Sequence, residues 1–130
     1  AQCTRAAVCV FKGTHAMIAV IFEVEPANGN PDPYLHIAAS LIDELKAIDG
    51  FISVERFQSL THAGKLLSLS FWRDEDAVKR WRSLESHRRA QEAGRGGVFQ
   101  NYRLRVAQVL RDYGMAERDE APSDSRRHHG

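Results

Sequence analysis

Residues 65–81 read Lys65-Leu66-Leu67-Ser68-Leu69-Ser70-Phe71-Trp72-Arg73-Asp74-Glu75-Asp76-Ala77-Val78-Lys79-Arg80-Trp81. The first half alternates with period two: Leu67, Leu69 and Phe71 share one parity, Leu66, Ser68, Ser70 and Trp72 the other. That is a strand. Three acids then open a helix, where negative charge complements the positive end of the helix dipole. Ala77, Val78, Trp81 and Leu84 recur at helical spacing and form its apolar stripe.

Working outward, residues 51–60 are a second strand, joined to residues 65–72 through the turn Thr61-His62-Ala63-Gly64. Its faces are not cleanly sorted: Phe51, Ser53, Glu55 and Phe57 alternate with Ile52, Val54 and Arg56. Upstream, residues 18–24 are apolar and β-branched, and Glu25-Pro26-Ala27-Asn28-Gly29-Asn30 breaks them. Asp32-Pro33 reads as an N-cap with proline at the first helical position. Tyr34, Ile37, Ala38, Leu41, Ile42, Leu45 and Ile48 then form an amphipathic stripe that Gly50 ends with a left-handed cap. Downstream, the second helix runs to Gly94-Arg95-Gly96-Gly97, and residues 99–113 form a long last strand. There Tyr102, Leu104 and Val106 share one parity and Val109 takes the other, which suggests a bulge.

The order strand, helix, strand, strand, helix, strand predicts an α+β, ferredoxin-like βαββαβ sandwich with an antiparallel sheet. Helices cover one sheet face only. The other face, with Trp72 or Phe71 upon it, needs a partner. A last strand that overhangs its own sheet can pair with a second copy. The expectation is a homodimer whose sheets close face to face as a dimeric α+β barrel.

The chain has 130 residues, which is one domain by length. With 43% hydrophobic and 27% charged residues it is not a largely disordered chain. No apolar run approaches a spanning helix, so no membrane is expected. The net charge of +1 argues against a nucleic-acid partner. Charge is unevenly placed: residues 17–78 hold ten acids and four bases, and residues 79–113 nine bases and three acids. Two solvated faces explain this. So does a pocket or dimer seam that attracts an anion. Cys3 and Cys9 make neither a disulfide framework nor a metal site, which fits a cytoplasmic setting. Met17 reads as the domain start. Residues 1–16 are then an added strand, an upstream extension or a non-native addition. The domain spans 17–114, and residues 115–130 are a disordered polar tail.

The run Ser70-Phe71-Trp72-Arg73-Asp74-Glu75-Asp76-Ala77-Val78-Lys79-Arg80-Trp81 resembles the strand-to-helix signature of the antibiotic biosynthesis monooxygenase family: a Ser-x-Trp, an acidic pair and a second Trp nine residues on. Ile48-Asp49-Gly50-Phe51-Ile52-Ser53 resembles that family's helix end and second strand. Trp81 to His87 with Gln91, Gly94 and Arg95, then Tyr102-Arg103-Leu104-Arg105-Val106, resembles its later half. The resemblance implies a dimeric α+β barrel. It also implies a cofactor-free oxidoreductase that deprotonates a small aromatic, polyphenolic or quinol-like substrate, lets it react with dioxygen and yields a quinone. Haem-degrading relatives are the other implication, with a helix His on iron, a helix Trp and a first-strand Asn. Here Val20 holds the Asn position, and His87 stands closer to Trp81 than that His does. A third reading is a non-catalytic barrel that binds a small ligand or a partner.

His87 is the candidate base or proton shuttle, since its ordinary pKa lies near neutrality. On a regular helix Arg88 lies about 20° from Trp81 and points inward, which makes it a candidate clamp for a phenolate or carboxylate. Trp72, Trp81, Tyr102 and Phe71 are the candidate pocket residues, with Tyr102 able to hydrogen-bond a ligand. No phosphate loop, serine-nucleophile elbow or metal-spaced Cys/His cluster occurs, so neither a nucleotide cofactor nor a metal is expected.

Overall fold

The computed structural model describes residues 17–129. The extension that carries Cys3 and Cys9 lies outside the described residues. Four strands, β1 (Ile18–Pro26), β2 (Phe51–Gln58), β3 (Leu66–Trp72) and β4 (Phe99–Gln108), form one antiparallel sheet in the order β2-β3-β1-β4. Helix α1 (Asp32–Lys46) links β1 to β2, and α2 (Glu75–Ser83) with α3 (Glu85–Ala93) links β3 to β4. This is the ferredoxin-like α+β topology expected from the element order.

The register sorts the side chains. Val20 stands opposite Ser70 and Val106, and Phe22 opposite Ser68 and Leu104. Even-numbered positions on these strands therefore share one face, and that face looks toward the helices. Its core is Ile18, Leu45, Trp72, Ala77 and Val78, with Ile42, Ile48, Phe51, Val54 and Trp81 packed around it. A β-bulge between Phe51 and Ser53 turns Phe51 onto this side, edge-on to Trp72 with centroids 5.3 Å apart. The mixed parity of residues 51–60 comes from that slip.

Helices α1 and α2 are fixed by short-range chemistry. Asn30 Oδ1 accepts the Asp32 N–H at 3.1 Å, so Asn30 rather than Asp32 caps α1. Asp74 Oδ1 accepts the Ala77 N–H at 2.9 Å and caps α2. Gly50 ends the α1–β2 turn at φ +98°, and a Cβ there would stand 2.7 Å from the Ala77 Cβ. Arg73 clamps this corner through both Asp49 carboxylate oxygens at 3.2 Å and through Asp74 at 2.9 Å.

Three expectations are corrected. The second helix is not continuous. Leu84 takes extended angles, φ −68° and ψ 138°, so α2 ends at Ser83 and α3 starts afresh. The last strand stops at Gln108 rather than reaching residue 113. The polar tail contains a short helix, α4 (Ser123–His129), and a buried Ala121. Arg118 pins it by donating to Gly114 C=O and Ser125 Oγ.

Candidate active site

A cavity of about 210 Å³ lies between the even-numbered sheet face and the helices. Strands supply Val20, Phe22, Val54, Arg56, Ser68, Ser70, Trp72, Leu104 and Val106; helices supply Tyr34, Leu41, Leu45, Val78, Trp81, Arg82, His87 and Gln91 among others. Its existence follows from the sequence of β3. Ser68 and Ser70 sit on a face that is otherwise apolar, and their small side chains leave room that larger ones would fill. Ser70 is buried and accepts the Trp72 indole N–H at 2.9 Å. Trp72 is thereby a fixed, satisfied wall. At the other end Phe22, Tyr34 and Phe99 pack with centroids 5.7–6.2 Å apart.

The break at Leu84 builds the polar corner. On a continuous helix, Trp81 and His87 would be about 9 Å apart along the axis and about 120° apart around it. The reoriented α3 instead brings their rings to 4.6 Å, at 73°. His87 Nδ1 is buried and has no hydrogen-bond partner among the described residues. Burial, and secondarily the positive charge of Arg82, push its pKa below the ordinary histidine value of 6.5. A neutral imidazole on a residue that lines a largely apolar cavity is able to take a proton from a bound acid.

The candidates divide. His87, Trp81 and Trp72 line the cavity. Arg88 does not: it is exposed and outside the lining, because its inward direction assumed a helix unbroken at Leu84. Phe71 is on the opposite sheet face, level with Ala19, and also lies outside the lining. Trp72, placed beside it on the partner-seeking face by expectation, points to the helices. Tyr102 joins the aromatic end, 5.6 Å from Phe22 and 5.9 Å from Phe99, but is 39% exposed and accepts a hydrogen bond from Arg95. Arg56, Ser68 and Ser70 were the residues missed. Their signal was a polar side chain on the parity of Val54, Leu66 and Trp72. Among the described residues no group of three or more His, Cys, Asp and Glu side chains is arranged to hold a metal ion, and no helix is long and apolar enough to cross a membrane.

Comparison with known proteins agrees with this architecture. The family model for antibiotic biosynthesis monooxygenases matches residues 17–93, from β1 through α3. A jasmonate monooxygenase of Pyricularia oryzae is 55% identical over 93 residues, which are 72% of this chain and 43% of that protein. The chain thus spans less than half the length of that relative. The uncharacterised protein YqjZ of Bacillus subtilis is 31% identical over 93 residues, 72% of this chain and 79% of its own. In fold, the chain is similar to SnoaB, described as a cofactor-independent oxygenase of Streptomyces nogalater. The TM-score is 0.65 at 12% identity, covering 75% of this chain and 96% of that one. With the matched residues running through both walls of the cavity, the chain belongs to the antibiotic biosynthesis monooxygenase family.

Proposed function

We propose that the cavity oxygenates a small, enolisable or phenolic molecule with dioxygen and without a resident cofactor. The observation that carries this reading is His87 on the wall of a largely apolar pocket, its ring 4.6 Å from that of Trp81 and its buried Nδ1 without a partner among the described residues. His87 takes a proton from the substrate. The resulting anion passes one electron to dioxygen, and the radical pair combines as a peroxide. Loss of water then leaves a carbonyl where the CH2 of an enolisable substrate, or a ring C–H of a phenol, stood. One oxygen atom enters the product and the other leaves as water, so no external reductant is needed. The chain's share is to desolvate the substrate, accept the proton and hold the anion. Trp72 and Trp81 wall the pocket, and Phe22, Tyr34 and Phe99 form its aromatic end.

The substrate class proposed is aromatic or quinol-like, and its size is bounded. About 210 Å³ is below the usual range for drug-sized ligands and suits a compact one- or two-ring molecule. The name of the Pyricularia oryzae relative adds jasmonate, a cyclic ketone that carries a carboxylate, to the compounds to test. We further propose that the chain works as a homodimer. Ile21, Leu67, Leu69 and Phe71 are only partly buried on the sheet face turned away from α1, α2 and α3, and a second copy would cover them.

Oxygen uptake by chelator-treated protein over anthrones, naphthols, hydroquinones and jasmonate tests the reading. Uptake above the spontaneous rate that falls at least about a hundredfold in His87→Ala is expected, which is the lower end for loss of a general base. Ligand-induced stabilisation without uptake would instead favour a binding barrel. A His87-dependent Soret shift on haem titration would favour haem chemistry.

A further inference from the structure

We propose that Arg56 forms a carboxylate-binding subsite in the cavity, so that the preferred substrates are acids. This rests on the cavity's being the substrate site.

Arg56 is on β2, on the parity of Val54, and its half-buried side chain lines the cavity. Its hydrogen bond is to a neutral group: Nε donates to Tyr34 Oη at 3.3 Å, and the guanidinium carbon lies 5.8 Å from the centroid of that ring. No carboxylate pairs with it among the described residues. Two other arginines have acids, Arg73 with Asp49 and Asp74 and Arg105 with Glu23, whereas Arg95, like Arg56, donates to a tyrosine hydroxyl but lies outside the cavity lining. The described lining of the cavity contains neither Asp nor Glu. Its other cation is Arg82, and His87 is pushed toward its neutral form.

A guanidinium carries five donors, and its Nε is engaged with Tyr34. A cation kept in apolar surroundings without a counter-charge is costly. A bound carboxylate offers the two acceptor oxygens that fit the guanidinium fork. Tyr34, fixed among Phe22 and Phe99, acts as a positioning residue that steers Arg56 toward the pocket.

The test uses a matched probe pair, 1-hydroxy-2-naphthoate and its neutral isostere 1-hydroxy-2-naphthamide. Binding is read by quenching of tryptophan fluorescence, since Trp72 and Trp81 line the cavity. The wild-type chain is expected to bind the acid roughly ten- to a hundredfold more tightly than the amide, the range for a charge-assisted pair. Arg56→Gln is expected to erase that preference by weakening the acid at least about tenfold more than the amide, with the chain still folded by circular dichroism. Arg56→Lys, which keeps the charge and loses the fork, is expected to retain part of it. Arg82→Gln is expected to retain most of it. Survival of the preference in Arg56→Gln, or its loss in Arg82→Gln only, overturns the proposal. A wild-type chain that binds both probes equally overturns it and leaves the cavity reading intact. A wild-type chain that binds neither overturns both.

Discussion

In the proposed reaction His87 is the proton acceptor, and its surroundings make two predictions. Because burial lowers its pKa, the imidazole stays neutral to lower pH than a free histidine does. The acid limb of kcat/KM is therefore expected below pH 6.5 and is expected to vanish in His87→Gln, as read from a pH–rate profile. The same shift acts on stability. The unfolded chain binds this proton more readily than the folded one. Stability is unaffected by the group above pH 6.5 and falls as pH drops from there to the depressed folded value. His87→Leu, which also removes the unpaired Nδ1, is expected to flatten that acid-side loss and to raise stability by about 1 kcal/mol while abolishing turnover. Chemical denaturation at two pH values checks this. A variant less stable than wild type at both would count against an unpaired buried nitrogen.

At the scale of elements, the corner where α1 turns into β2 is the most sharply specified. Gly50 has φ +98°, and its missing Cβ would lie 2.7 Å from that of Ala77 at the start of α2. Gly50→Ala is expected to cost about 1–3 kcal/mol, the range for a residue forced into a sparsely populated conformation. Asp74→Ala, which removes the α2 cap, should cost about 1 kcal/mol. Urea titrations measure both. This corner was legible in the sequence, because Asp49-Gly50 and Asp74-Glu75-Asp76 are local signals that tertiary packing does not overrule. So was the order of the strands and the stripe of α1. The break at Leu84 was not. No glycine or proline stands between Trp81 and His87 to announce it, and the 3–4 spacing reads on as one helix. That one unannounced turn decides the site, because it brings His87 onto Trp81 and leaves Arg88 in solvent. Likewise the bulge at Phe51 hid Arg56, since mixed parity on residues 51–60 obscured which face the strand gives to the cavity.

At the scale of the whole molecule, the sheet has two unlike faces. One is covered by helices and holds the cavity. The other presents Ile21, Leu69 and Phe71, with Glu23 bridged to Lys65 and Arg105 at 3.0 Å each. A second copy over this face is expected to give a dimer by light scattering, and Phe71→Asp is expected to give a monomer with its helical signal retained. A wild-type monomer at micromolar concentration would contradict the barrel. Labelled dioxygen distinguishes oxygenation by the chain's own residues from oxidation without it. Chelator-treated protein turning over a naphthol under 18O2 is expected to place one labelled atom in the quinone and one in water, at a rate that collapses in His87→Ala. Unlabelled product, or labelling that proceeds undiminished without His87, would contradict it.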